Sequence, residues 1–174
     1  MKKKLLFIGD IIMDMSRDLS TNHSVFSYGS SFVFFIQGEL GLNCPKKFEI
    51  YNRGIGGDRI VDIYARLKRD CIRLCPDFIT ILVGVNDVWC EIENGDGIEF
   101  DRYERIYSMF IEDVKKYLPN TRIMLITVHK NKFDFVEIEN PEDYNNNYYY
   151  SPPQFLMRKV TPEERQEMVI NYII

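Results

Sequence analysis

The chain has 174 residues, 45% of them apolar and 28% charged, with a formal net charge of −4. That length supports one domain with a sizeable core, and that composition excludes a disordered chain. The negative balance argues against a nucleic-acid binder. The short run Lys2-Lys3-Lys4 reads as a solubilising N-terminus rather than a nucleic-acid or membrane site.

Lys4 to Gly9 is a continuous apolar run, the pattern of a strand buried on both faces. Gly9 and Asp10 end it too early for a signal peptide, and no segment reaches the roughly 20 apolar residues of a membrane span. The expectation is a soluble, cytoplasmic protein that needs no membrane. A polar loop follows, from Asp10 to about Ser27. Ser30 to Leu40 is a predicted helix with Phe32, Phe35, Ile36 and Leu40 at helical spacing, ended by Gly41 to Pro45.

Phe48 to Tyr51 is a predicted second strand. It leads into Asn52-Arg53-Gly54-Ile55-Gly56-Gly57-Asp58, with Asp58 the expected N-cap of the next helix. Ile60, Ile63, Tyr64 and Leu67 form the apolar face of that helix. Pro76-Asp77 precedes a third strand, Phe78 to Val83. Gly84-Val85-Asn86-Asp87 then opens what reads as a loop to about Ile98. The clearest helix carries Tyr103, Ile106, Tyr107, Phe110, Ile111, Val114 and Leu118, and Pro119-Asn120 stops it. Arg122 to Val128 is the fourth strand.

Strands alternating with helices predict a three-layer α/β/α domain around a parallel, flavodoxin-like sheet, in one domain over 1–174. Ligands bind such sheets at the carboxyl ends of the strands, where all three Gly/Asp-containing loops fall. Residues 130–160 read as a long Asn/Tyr/Pro-rich loop, with Asn145-Asn146-Asn147, Tyr148-Tyr149-Tyr150 and Pro152-Pro153. Thr161-Pro162 with Glu164 then starts a last helix, with Met168, Val169 and Tyr172 inward. Cys44, Cys71, Cys75 and Cys90 lack the companions of a zinc site and read as reduced, mostly buried thiols. No metal or cofactor is expected. Asp10 and Asp14 alone supply too few ligands for a metal and read as loop-fixing acceptors.

The three loops together resemble the SGNH (GDSL-type) hydrolases. The family's first block, Gly-Asp-Ser-x-x-Asp, stands here as Gly9-Asp10-Ile11-Ile12-Met13-Asp14. The second block resembles Asn52 to Asp58, and the third matches Gly84-Val85-Asn86-Asp87. The resemblance covers about residues 4 to 128 and implies acyl-ester hydrolysis, often removal of acetyl groups from carbohydrates. In such chemistry a serine, activated by a histidine that an aspartate orients, attacks the carbonyl. Donors hold the oxyanion, each worth roughly 3 kcal/mol of barrier. The resemblance assigns those donors to the backbone N–H groups of Ile11 and Gly57 and to the Asn86 side chain, with Asp10, Asp14, Gly84 and Asp87 supporting the loops.

Two features depart from the family. Ile11 occupies the nucleophile position and has no nucleophilic atom, and Ser16, several residues on, cannot simply replace it. The family's Asp-x-x-His, which follows a fifth strand, has no counterpart: the only histidines are His23 and His129. The resemblance therefore implies a truncated, catalytically impaired esterase fold that binds an acylated carbohydrate or small ester. The alternative is a non-catalytic carbohydrate- or protein-binding module using the tyrosine-rich segment. Without a fifth strand, 122–128 would be an exposed edge open to self-association.

Overall fold

The computed structural model describes residues 1–22, 24–129 and 132–138. The five-stranded sheet has the order β2-β1-β3-β4-β5. Strands β1 (Lys3–Gly9), β2 (Phe48–Gly54), β3 (Phe78–Leu82) and β4 (Arg122–His129) are parallel. Because β2 and β3 flank β1 on opposite sides, the strand order reverses there. The reversal opens a crevice at the carboxyl ends.

Helices cover both faces. On one, α3 (Ile60–Asp70) and α5 (Phe100–Tyr117) pack Ile63, Leu67, Phe110 and Val114 on Leu6, Ile8, Ile79, Ile81 and Ile123. On the other, α1 (Ile11–Asp14) and α2 (Phe32–Asn43) bring Met13, Val33, Ile36 and Leu40 onto Leu5, Phe7, Ile50 and Leu82. Consecutive residues of β1 thus point into opposite cores, which is why its sequence is apolar without alternation.

Several expectations are corrected. The loop after Asp10 begins with α1, because the Asp10 side chain accepts the Ile12 N–H and caps a short turn. The segment after Gly84 is α4 (Val85–Asn94), not a loop; the Gly95 N–H closes on Glu91 O and the Asp96 N–H on Cys90 O. Asp58 does not cap α3. Arg59 occupies that position, its N–H donating to Asp62 Oδ2 at 2.9 Å, while Asp58 is drawn to Arg66. Of the cysteines only Cys71 is buried, and Cys75 is exposed after a turn of 3₁₀ helix.

The edge is also different. Strand β4 is not left open, because β5 (Lys132–Ile138) pairs with it in antiparallel register from Ile123↔Ile138 to His129↔Lys132. Strand β5 begins three residues after β4 ends, which allows only this direction, since a parallel strand requires a crossover. The sheet's fifth strand is therefore present but antiparallel, unlike the parallel strand implied by the resemblance. It takes up part of the predicted 130–160 loop. The remainder of that loop and the predicted helix from Thr161 lie outside the described residues.

Candidate active site

The crevice is built by three loops, and named side chains fasten them together. Asp14, at the end of α1, accepts the Gly56 N–H on Oδ2 at 2.7 Å and the Arg17 N–H on Oδ1 at 3.1 Å. This joins the first block to the second. Asn52, buried at the end of β2, donates to Met13 O at 2.6 Å and Tyr28 O at 2.9 Å and accepts the Gly54 N–H at 2.9 Å. Gly54 must be glycine: a Cβ there would lie 2.4 Å from the Asp14 nitrogen. The second block thus has a packing role that its resemblance to a motif did not reveal.

The third loop is tied in by Asp87 and Asn86. Asp87 is buried, and both its oxygens accept the Ile60 N–H, at 3.1 and 3.2 Å. The first turn of α4 thereby holds the first turn of α3. Asn86 donates one Nδ2–H to Asp58 O at 2.9 Å; its amide carries a second N–H. Gly84 caps α4 beside the Tyr103 hydroxyl, which donates to Val83 O at 3.0 Å.

Ile11 stands in the first position of α1, 51% exposed. A Cβ on Gly56 would meet Ile11 Cγ1 at 3.7 Å, so the nucleophile position lies against the second loop. Gly57 has a φ of +87°, and a Cβ there would meet nothing within 4 Å. Among the described residues, neither the Ile11 N–H nor the Gly57 N–H has an acceptor. Ile11 thus lies against Gly56 and Asn86 against Asp58, the two residues that flank Gly57. Ser16 lies past the end of α1 with a φ of +63°. His129 ends β4, and His23 is outside the described residues.

Two carboxyls of these loops, Asp10 and Asp87, are buried. Burial pushes Asp10 up from 3.8 to about 7; the Ile12 N–H opposes this, and Asp87 and Asp58 add to it. Burial likewise pushes Asp87 up to about 6, against the Ile60 N–H. Behind them, the buried Arg66 binds Asp58 at 2.7 Å and Asp70 at 2.8 Å and donates to Gly9 O at 3.2 Å. Arg17 donates to Gly54 O at 2.6 Å. Sequence reading missed Arg17 and Arg66 as site-builders and took Asn52 only as the first residue of the second block. For Arg66 the available signal was its pairing with Asp70 at helical spacing.

An open sheet whose crevice is bounded by three strand-to-helix loops, with unengaged backbone donors, is the scaffold of a flavodoxin-like α/β hydrolase. The family model of the GDSL-like lipase/acylhydrolases matches residues 7–158, and the chain belongs to that family. It is 30% identical over 128 residues to an acetylxylan esterase of Geobacillus stearothermophilus, covering 70% of this chain and 58% of that enzyme. A GDSL-like lipase structure from Parabacteroides merdae aligns at 33% identity with a TM-score of 0.67, over 75% of this chain and 63% of that one. A structure of the Geobacillus esterase aligns at 30% identity and the same TM-score, over 72% and 60%. The chain thus spans about three fifths of the length of these relatives. Structures of that esterase include catalytic mutants at a serine, an aspartate and a histidine, the last two three residues apart. No helix among the described residues is long and apolar enough to cross a membrane.

Proposed function

We propose that this chain keeps the acyl-oxygen-binding half of an ester hydrolase site without the nucleophile, and acts as a non-catalytic binder of an acylated carbohydrate or small ester. The observation that carries this is the pairing at the crevice: Ile11 at the nucleophile position beside Gly56, next to two backbone donors, Ile11 N–H and Gly57 N–H, with no acceptor among the described residues. A backbone donor is indifferent to its side chain, so replacing serine by isoleucine removes the nucleophile and spares the N–H. Asn86 supplies a third donor.

Acetylated xylan is the ligand class favoured by the name of the Geobacillus relative. Trp89, 54% exposed, lies three residues beyond Asn86 on α4 and gives an aromatic face of the kind that sugars pack on. The free thiols support a reducing, cytoplasmic setting. Two measurements test the reading. The chain should show no saturable turnover of p-nitrophenyl acetate. Calorimetry should detect binding of acetylated xylo-oligosaccharide, weakened several-fold in Trp89→Ala. Turnover by the native chain, or no binding of the acetylated sugar, overturns the proposal.

A further inference from the structure

Asp58 stands where a helix cap was expected, yet Arg59 caps α3. Its polar groups are engaged elsewhere, each on a different task. The Asp58 N–H donates to Ile55 O at 3.2 Å. That bond closes the turn Ile55-Gly56-Gly57-Asp58, and Gly57, third in the turn with a φ of +87°, fits type II geometry. The Asp58 carbonyl accepts an Asn86 Nδ2–H at 2.9 Å. Its carboxylate accepts the Arg66 Nε–H at 2.7 Å.

One residue thus refers two donors to each other. Gly57 is its neighbour inside the closed turn, and Asn86 is bonded to its carbonyl. The Asn86 amide is planar and carries two N–H groups, so the bond made by one sets the direction of the other. The position of Asp58 therefore decides how the Gly57 N–H and the second Asn86 N–H stand to one another.

Arg66 is what holds Asp58. It lies eight residues further on, its side chain 7% exposed, and it gives each nitrogen a different partner: Nε to Asp58, Nη1 to Asp70 at 2.8 Å and Nη2 to Gly9 O at 3.2 Å. A planar guanidinium held at three points cannot swing. Gly9 O also accepts the Ile55 N–H at 3.0 Å, so the start of the turn is tied to the same arginine. A pair serving stability alone would need only the carboxylate; here the backbone on both sides of the turn is fixed as well.

We propose that Asp58, clamped by Arg66, is the positioning residue that sets the Gly57 N–H and the Asn86 amide as a matched pair of donors. The inference rests on the reading of those two groups as acyl-oxygen donors, and its first test needs no ligand.

That test is the ¹H–¹⁵N spectrum of the intact chain and its variants. The reporter is the Asn86 side-chain amide, 28 residues from Asp58 and so beyond the local effect of a substitution. Asp58→Ala leaves Arg66 bonded to Asp70 and Gly9 O. It should shift the Asn86 Nδ2–H signals toward those of a solvated amide, while the Ile60 N–H, held by Asp87, stays in place. Asp58→Asn keeps an oxygen for Arg66 Nε and should retain the native Asn86 signals. Asp58→Glu keeps the charge but lengthens the arm by a methylene, and should shift them. Unmoved Asn86 signals in Asp58→Ala, or in Asp58→Glu where Asp58→Ala does not fold, overturn the proposal. So does a shift in Asp58→Asn as large as in Asp58→Ala. Titration with acetylated xylo-oligosaccharide is the second arm. Asp58→Ala should weaken binding about tenfold, roughly the weight of one hydrogen bond, and Asp58→Asn should restore most of it. Native affinity in Asp58→Ala overturns the proposal. A native chain that binds no acetylated sugar sinks the ligand reading, and the spectra still decide the role of Asp58.

Discussion

Asp14 and Gly56, 42 residues apart, are joined by one hydrogen bond of 2.7 Å from the glycine N–H to the carboxylate. The same carboxylate accepts the Arg17 N–H. This bond sets the distance between the Ile11 and Gly57 backbones. Asp14→Ala should therefore cost about 1–2 kcal/mol in urea unfolding, since bonds to a charged group are worth more than neutral ones. It should also weaken acetylated-sugar binding. Asp14→Asn, which can accept only one of the two N–H groups, should recover part of both.

Gly54→Ala should be more damaging than its one added carbon suggests. The new methyl would meet the Asp14 nitrogen at 2.4 Å and Met13 Cβ at 2.7 Å, and backbone cannot move aside as a side-chain tip can. We expect a loss of about 3 kcal/mol, at the upper end for overpacking. A melting temperature within a degree of the native chain would show that α1 slides freely on β2.

Arg66 lies between two carboxylates whose side chains are 14% and 10% exposed. Arg66→Met removes their shared partner and leaves Asp58 and Asp70 without its charge. The expected cost is about 3–5 kcal/mol by denaturant unfolding, far above that of a surface pair. As a control, Arg105→Met breaks the exposed pair with Asp101 and should change stability by under about 1 kcal/mol.

Asp10 gives stability an unusual pH dependence. Its carboxyl is held near 7 in the fold against 3.8 in the unfolded chain. Between those values the folded state binds a proton that the unfolded state does not, so stability falls as pH rises through this window. At about 1.4 kcal/mol per pKa unit the effect is a few kcal/mol. Asp87, pushed up to about 6, acts in the same direction. Thermal melts should show a higher Tm at pH 5 than at pH 8. Asp10→Asn, which keeps an oxygen for the Ile12 N–H, should remove most of the difference. A pH-independent Tm in the native chain would contradict the buried neutral carboxyl.

The sequence by itself determined the alternation of apolar strands and amphipathic helices, because both rest on local spacing of side chains along the chain. It determined that three Gly/Asp-containing loops fall at one sheet edge, and that isoleucine stands where the family has serine. Only the tertiary structure decided which groups hold those loops together. Asp14 with Gly56, Asp87 with Ile60 and Arg66 with Gly9 O are separated by 42, 27 and 57 residues, and no local pattern announces such partners. Asp58 looked like a helix cap because its neighbourhood suits one; a buried arginine claimed it instead. The antiparallel β5 was likewise decided by the open edge of β4, whose unpaired backbone groups made a short return more favourable than a loop.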